Sequence, residues 1–266
     1  MRSFVLSSLV LLCAGVAAHA VSFKNTANGV WSTGLDASAV VMTGNTADSH
    51  YFLIQPAGCS AVPTPANCTG FGPNAITVVG PPGTIWSAND ANSAWVGPIG
   101  NQSAVQNDTI YNSSVNPYTY RMIVDFAALH LYFNTANISL RVLSDNNVNN
   151  VGNPSDQSHI RVCSIGDASN RTPCGITTRV TGSATGAENT NPFSSQAPVN
   201  IGPSYFTSAL MAIDFVVYNS PIAFGANPSG LRVEILSATA DPVPEPMTVS
   251  LIGFGLLGLG WMARRK

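Results

Sequence analysis

Between Val21 and Ala240 glycine and proline interrupt the chain every few residues, and no long stretch keeps its apolar residues at helical spacing. A chain so punctuated cannot build long helices, and its short apolar runs must pair as strands. The clearest is Tyr118 to Phe126, where Tyr118, Tyr120, Met122, Val124 and Phe126 alternate with Thr119, Arg121, Ile123 and Asp125. One face is apolar and the other carries an arginine able to pair with a carboxylate such as Asp125 or Glu234. Asn137 to Leu143, His159 to Ile165, Ile176 to Val180, Leu210 to Tyr218, Leu231 to Leu236, Tyr51 to Ile54 and Ala75 to Val79 show the same β-branched and aromatic enrichment. Some eight strands with polar connections and one buried face each predict an all-β domain, a two-sheet β-sandwich. No internal repeat or linker divides it.

Both ends of the chain differ from this middle. Arg2 precedes an apolar segment, Phe4 to Ala18, that closes on Ala18-His19-Ala20, the pattern of a secretory signal peptide over residues 1–20 cleaved before Val21. At the other end, Met247 to Ala263 is a run of 17 uncharged residues followed by Arg264, Arg265 and Lys266. As a helix it reaches about 25 Å, the short limit for a hydrocarbon core of about 30 Å. The predicted organisation is a leader (1–20), an extracytoplasmic domain (21–240) and a C-terminal segment (241–266) with a single transmembrane helix at 247–263. The basic triplet is the cytoplasmic stop signal, so the domain faces outward. A domain of about 220 residues can bury a full core.

Cysteine and charge usage agree with export. Outside the leader the cysteines are Cys59, Cys68, Cys163 and Cys174. Four cysteines allow three connectivities; the short separations favour Cys59 with Cys68 and Cys163 with Cys174, disulfides being expected outside the cytoplasm. A four-cysteine zinc site is the competing reading, but the close C-x-x-C pairs are lacking. Residues 21–240 hold only seven basic and eleven acidic residues among many Asn, Ser and Thr. They offer no basic stripe to a phosphate backbone, so nucleic acid is not an expected partner.

The order Pro244-Glu245-Pro246, Gly-rich apolar helix, Arg-rich end resembles the PEP-CTERM sorting signal of Gram-negative bacteria. The resemblance implies that Pro244, Glu245 and Pro246 are recognised by the membrane enzyme exosortase, that Met247 to Ala263 is a transient inner-membrane span, and that the processed protein reaches the cell surface or extracellular matrix. The Sec translocon is the partner expected during export, and exopolysaccharide the partner expected outside, because exosortase systems accompany exopolysaccharide production.

A second resemblance covers most of residues 30–238. Trp31-Ser32-Thr33-Gly34-Leu35-Asp36, followed by Asp48-Ser49-His50-Tyr51-Phe52-Leu53, is similar to the opening of a secreted bacterial β-module with the pattern NTGVD, then D-P/S-H-Y/W-x-L. That similarity implies a jelly roll of galactose-binding-like type, and implies fold more than ligand. The chain departs from the module at Asp145 to Gly175, where a longer segment replaces a short hairpin.

Candidate binding residues for carbohydrate are Trp31, Asp36, Asp48, His50 and Asp90. A tryptophan can stack on a pyranose while carboxylates take its hydroxyls. The bland alternative is that Asp36 and Asp48 brace turns, that Trp86 and Trp95 are packing residues, and that Tyr118 and Tyr120 are core. No cofactor is expected; Ca²⁺ is chemically eligible at Asp48, Asp90 and Glu234, but no EF-hand-like loop is present. An enzyme is not expected. No carboxylate pair is marked for glycoside hydrolysis, there is no G-x-S-x-G, and His50, His130 and His159 lack metal-ligand spacing. The expected function is that of a non-enzymatic structural or adhesive unit associated with exopolysaccharide. The alternatives are a lectin or carbohydrate-active enzyme on the same sandwich, and a subunit that self-associates into a surface filament through open strand edges.

Overall fold

The structure of the protein, a computed structural model, describes residues 19–55, 74–78, 86–98, 117–144, 158–180, 197–218 and 229–244, and in the C-terminal segment 253, 255–257, 260–261 and 263–264. Its described strands are β1 (Val21–Ser22), β2 (Ala47–Gln55), β3 (Asn74–Thr77), β4 (Val96–Gly97), β5 (Tyr118–Asp125), β6 (Asn137–Ser144), β7 (His159–Ser164), β8 (Val199–Ile201), β9 (Leu210–Val217) and β10 (Leu231–Ala240).

They form one curled antiparallel sheet, ordered β7-β9-β5-β2-β3-β4-β10-β6-β8, with β1 added against β10. The all-β expectation holds, but the two expected sheets are two halves of one hydrogen-bonded path, an arrangement consistent with a β-sandwich or half-barrel. The seam is β4. Its two residues pair with Ile76 and Thr77 on one side, and Val96 pairs with Leu231 on the other.

The curl places the inner faces of both halves around one core. Tyr118, Tyr120, Met122, Val124 and Phe126 enter it from β5 and its end, as the alternation predicts. They meet Ile138, Leu140 and Val142 of β6 and Val233 and Ile235 of β10. Each such fully buried side chain stabilises the fold by about 1.5–3 kcal/mol relative to exposure. Trp86 and Trp95 form a separate cluster with Val78 and Leu143, their rings stacked at 4.4 Å. Gly230 lies under this pair, where a Cβ would approach Trp86 to 2.6 Å. The packing reading of both tryptophans is therefore the observed one.

One predicted strand is absent. Ile176–Thr178 is a 3-10 turn, closed by the Thr178 N–H and hydroxyl, which both donate to the Gly175 carbonyl. A threonine that bonds its backbone locally competes with ladder formation; pairing resumes only at Arg179, opposite Arg161. β1, β4 and β8, too short to show alternation, are additional to the predicted set.

The described residues of 253–264 are helical. Among the described residues no helix is long and apolar enough to cross a membrane, so the transmembrane helix expected at 247–263 is not supported. Residues 1–18 of the expected leader, Cys59 and Cys68, Glu245, Pro246, Arg265 and Lys266 lie outside the described residues. Pro244 and Arg264 are described and exposed. The Cys163–Cys174 disulfide is present.

Candidate functional site

The two segments that opened the sequence motif are fastened to each other. Gly34 has φ +70°, and a Cβ there would meet the Ala94 methyl at 2.6 Å, so the backbone turns in a way only glycine tolerates. The turn aims its N–H at Asp48 Oδ2, 2.7 Å away, while Asp48 Oδ1 accepts the His50 N–H at 2.8 Å. The Tyr51 hydroxyl donates to the Trp31 carbonyl at 2.7 Å. Burial, with Asp48 adding to it, pushes the Tyr51 hydroxyl well above its ordinary value. Trp31 donates its indole N–H to the Thr26 carbonyl and its backbone N–H to Met122 Sδ, and its ring stacks on His50 at 4.0 Å.

The alternation of β2 then makes a cleft. Tyr51 and Leu53 enter the core, which turns His50 and Phe52 outward. With Trp31, Asn28, Met122 and Ile123 they border an open cleft of about 160 Å³. Sequence reasoning named Trp31 and His50 but missed Phe52, although it lies two residues beyond His50 and therefore shares its face. His50 Nδ1 stands 3.4 Å from Asp48 Oδ1.

Not all five carbohydrate candidates converge here. Asp48 is fully buried behind the cleft, its two oxygens engaged by backbone N–H groups. Asp36 braces a turn by accepting from Ser38 and Val40 N–H at 2.8 and 2.9 Å. Asp90 accepts from Asn92 and Ser93 N–H and pairs with Arg232 at 2.6 Å. Glu234 pairs with Arg141 at 3.0 Å. The three acids eligible for calcium are thus engaged separately, and among the described residues no group of three or more His, Cys, Asp and Glu is placed to hold a metal ion.

A second arrangement occupies the same outer face. Arg121, expected to meet Asp125 or Glu234, instead pairs with Asp214 on β9: Nε to Oδ1 at 2.7 Å and Nη2 to Oδ2 at 2.8 Å, both side chains fully buried. The register explains it, since Arg121 lies directly opposite Asp214. The loop closed by Cys163–Cys174 covers the pair. Arg121 donates to the Asn170 and Thr172 carbonyls, and the Cys174 N–H donates to Asp214. Arg171 of that loop rests over the Phe52 ring at 5.1 Å. Arg161 donates to His159 Nε2 and to the Cys174 carbonyl. Burial lowers its guanidinium; Tyr218 and Asp214 oppose the shift and Arg179 reinforces it.

Comparison with protein families identifies residues 242–266 as a PEP-CTERM protein-sorting motif. No curated protein and no solved structure matches the chain. The motif implies exosortase-dependent sorting of a surface or secreted protein, with membrane-anchored transit and exosortase as the processing partner, and the β-rich domain fits a secreted β-module.

Proposed function

We propose that the protein is a non-enzymatic component of the Gram-negative envelope or extracellular matrix. Its jelly-roll-like domain, exported through the Sec translocon and released by exosortase at Pro244-Glu245-Pro246, acts as a structural or adhesive unit that holds exopolysaccharide. The observation that carries this reading is the sorting motif at 242–266, which begins directly after β10 ends at Ala240. A β-domain stapled by a disulfide suits an oxidising exterior. Mass spectrometry of the protein from its own cell tests the route: a C-terminus near Pro244 is expected, and an intact Lys266 overturns it.

The cleft beside Trp31, His50 and Phe52 favours a second reading, that of a dedicated lectin. Its volume suits one sugar ring more than a drug-sized ligand, whose pockets run to roughly 300–1,000 Å³. On a glycan array, saturable binding to a single glycan that is lost with Phe52→Ala would replace the structural role by the lectin.

A further inference from the structure

Cross-strand register lines up residues that are far apart in sequence. Phe52 stands opposite Arg121, Arg121 opposite Asp214, Asp214 opposite Arg161, and Arg161 opposite Arg179. At about 4.8 Å per strand, this transverse row runs about 19 Å across the outer face. We propose that the two accessible ends of this row, Arg161 with Arg179 at one end and Arg171 over Phe52 at the other, form a docking surface for an anionic polysaccharide whose carboxylate or sulfate groups those three arginines receive. The inference rests on the exopolysaccharide reading above and names the chemistry of that partner.

The charge balance supports it. Arg121 is neutralised by Asp214 and sealed under the disulfide loop. Arg161, Arg171 and Arg179 take part in no ion pair among the described residues. Arg161 gives two of its donors to His159 and the Cys174 carbonyl, and Arg171 gives one nitrogen to the Ala168 and Asn170 carbonyls. Two aspartates stand nearby: Asp214, bonded to Arg121 and the Cys174 N–H and acting also on Arg161, and Asp167, bonded to the backbone and hydroxyl of Ser169 and felt by Arg171. Among the described residues, Arg121, Arg161, Arg171 and Arg179 stand against Asp214 and Asp167, a local excess of positive charge in a domain with more acids than bases. Arg161 and Arg179, adjacent across the bridge, repel one another until an anion lies between them.

Guanidinium forks match carboxylate and sulfate geometry with two parallel hydrogen bonds, which a lysine cannot do. A single small anion would use only one of them. Arg171 on one side of the covering loop and Arg161 with Arg179 on the other suit a chain that repeats its charge. Phe52 also borders the cleft with Trp31 and His50, so a sugar ring can stack beside the charged residues it is linked to.

The test uses the full chain as exported, with binding to immobilised polygalacturonate, dextran sulfate, neutral dextran and duplex DNA measured at low salt and at about 0.5 M salt. Retention on polygalacturonate or dextran sulfate but not on dextran is expected, weakening in salt; the tighter of the two identifies carboxylate or sulfate as the recognised group. Arg171→Gln and Arg179→Gln should each weaken binding roughly threefold and the double variant roughly tenfold, the scale of partly exposed charges. Arg141→Gln, on the other half of the sheet, should leave it unchanged. Arg179 has no side-chain partner among the described residues, so its variant keeps the fold, and an unchanged melting temperature verifies this. Dextran bound as well as the polyanions, with no effect of the arginines, would sink the inference and leave the matrix reading standing. Retention on none of the polysaccharides would sink both, and tighter retention on DNA would overturn the polysaccharide assignment.

Discussion

Arg121 and Arg232 are both fully buried, one on each half of the sheet, and each fastens a loop to the outer face. Arg121 holds the 163–174 loop through the carbonyls of Asn170 and Thr172. Arg232 holds the 86–93 loop through the Ala88 carbonyl and the hydroxyls of Ser87 and Ser93. The difference lies in where the counter-charge comes from. Asp214 belongs to the sheet itself and is fully buried, whereas Asp90 belongs to the loop and its side chain is 45% exposed. The first ion pair is part of the sheet, with a loop added over it; the second exists only while its loop is docked.

Four substitutions test where each counter-charge comes from. Asp214→Ala leaves a sealed guanidinium with no carboxylate, and should cost about 3–5 kcal/mol in chemical unfolding; a loss no greater than that of Asp90→Ala would abolish the distinction. Replacing Cys163 and Cys174 by serine removes the staple and should cost about 2–4 kcal/mol, yet Arg121 and Asp214 remain paired, so the sheet amides of β5 and β9 should stay protected in hydrogen exchange while those of 165–175 exchange freely. Asp90→Asn removes a carboxylate that is itself 45% exposed and that water can replace once the loop opens, so it should cost less than Asp214→Ala and loosen only the amides of 86–95. The smallest effect concerns acid. Hydrogen bonds from the Ser169 hydroxyl and N–H hold the Asp167 carboxyl below its ordinary 3.8, with Arg171 adding a little. A depressed carboxyl contributes stability above its ordinary value and loses it as pH falls toward the lowered one. Exchange protection in 165–175 should therefore decline only below about pH 3.8, and Asp167→Asn should remove that pH dependence without touching the 86–93 loop.

The sequence made the inner face legible and the outer face largely not. Alternation along Tyr118 to Phe126 marks what enters the core because burial acts on every second residue, and β5, β6, β9 and β10 fall where it predicts. Asp36 follows from turn chemistry, which is local; Asp48 takes the nearby His50 N–H in the same way, but its bond to the Gly34 turn comes from 14 positions away. Arg121 was visible as a cation able to pair with a carboxylate, but its partner was set by register with β9, 93 positions away. The row from Phe52 to Arg179 has no sequence signature for the same reason: its members come from separate strands and a loop, and only the curl and pairing of the sheet bring them into line. Ile176 to Val180 misled because β-branched enrichment cannot reveal that Thr178 turns its hydroxyl back on Gly175.

The position of β10 has a mechanical consequence. This strand is bonded to β6 through eight register pairs interrupted by a bulge between Ile235 and Ser237, and the sorting segment leaves the domain directly from its end. A protein held at its C-terminus and gripped on the β5–β9–β7 face carries load from one half of the sheet to the other. The hydrogen-bonded path for that load runs from β10 through β4, β3 and β2 to β5, and β6 and β8 lie outside it. On that path β10 meets β4 through the one register pair Leu231–Val96, so the load between the halves falls mainly on the core they share rather than on backbone hydrogen bonds.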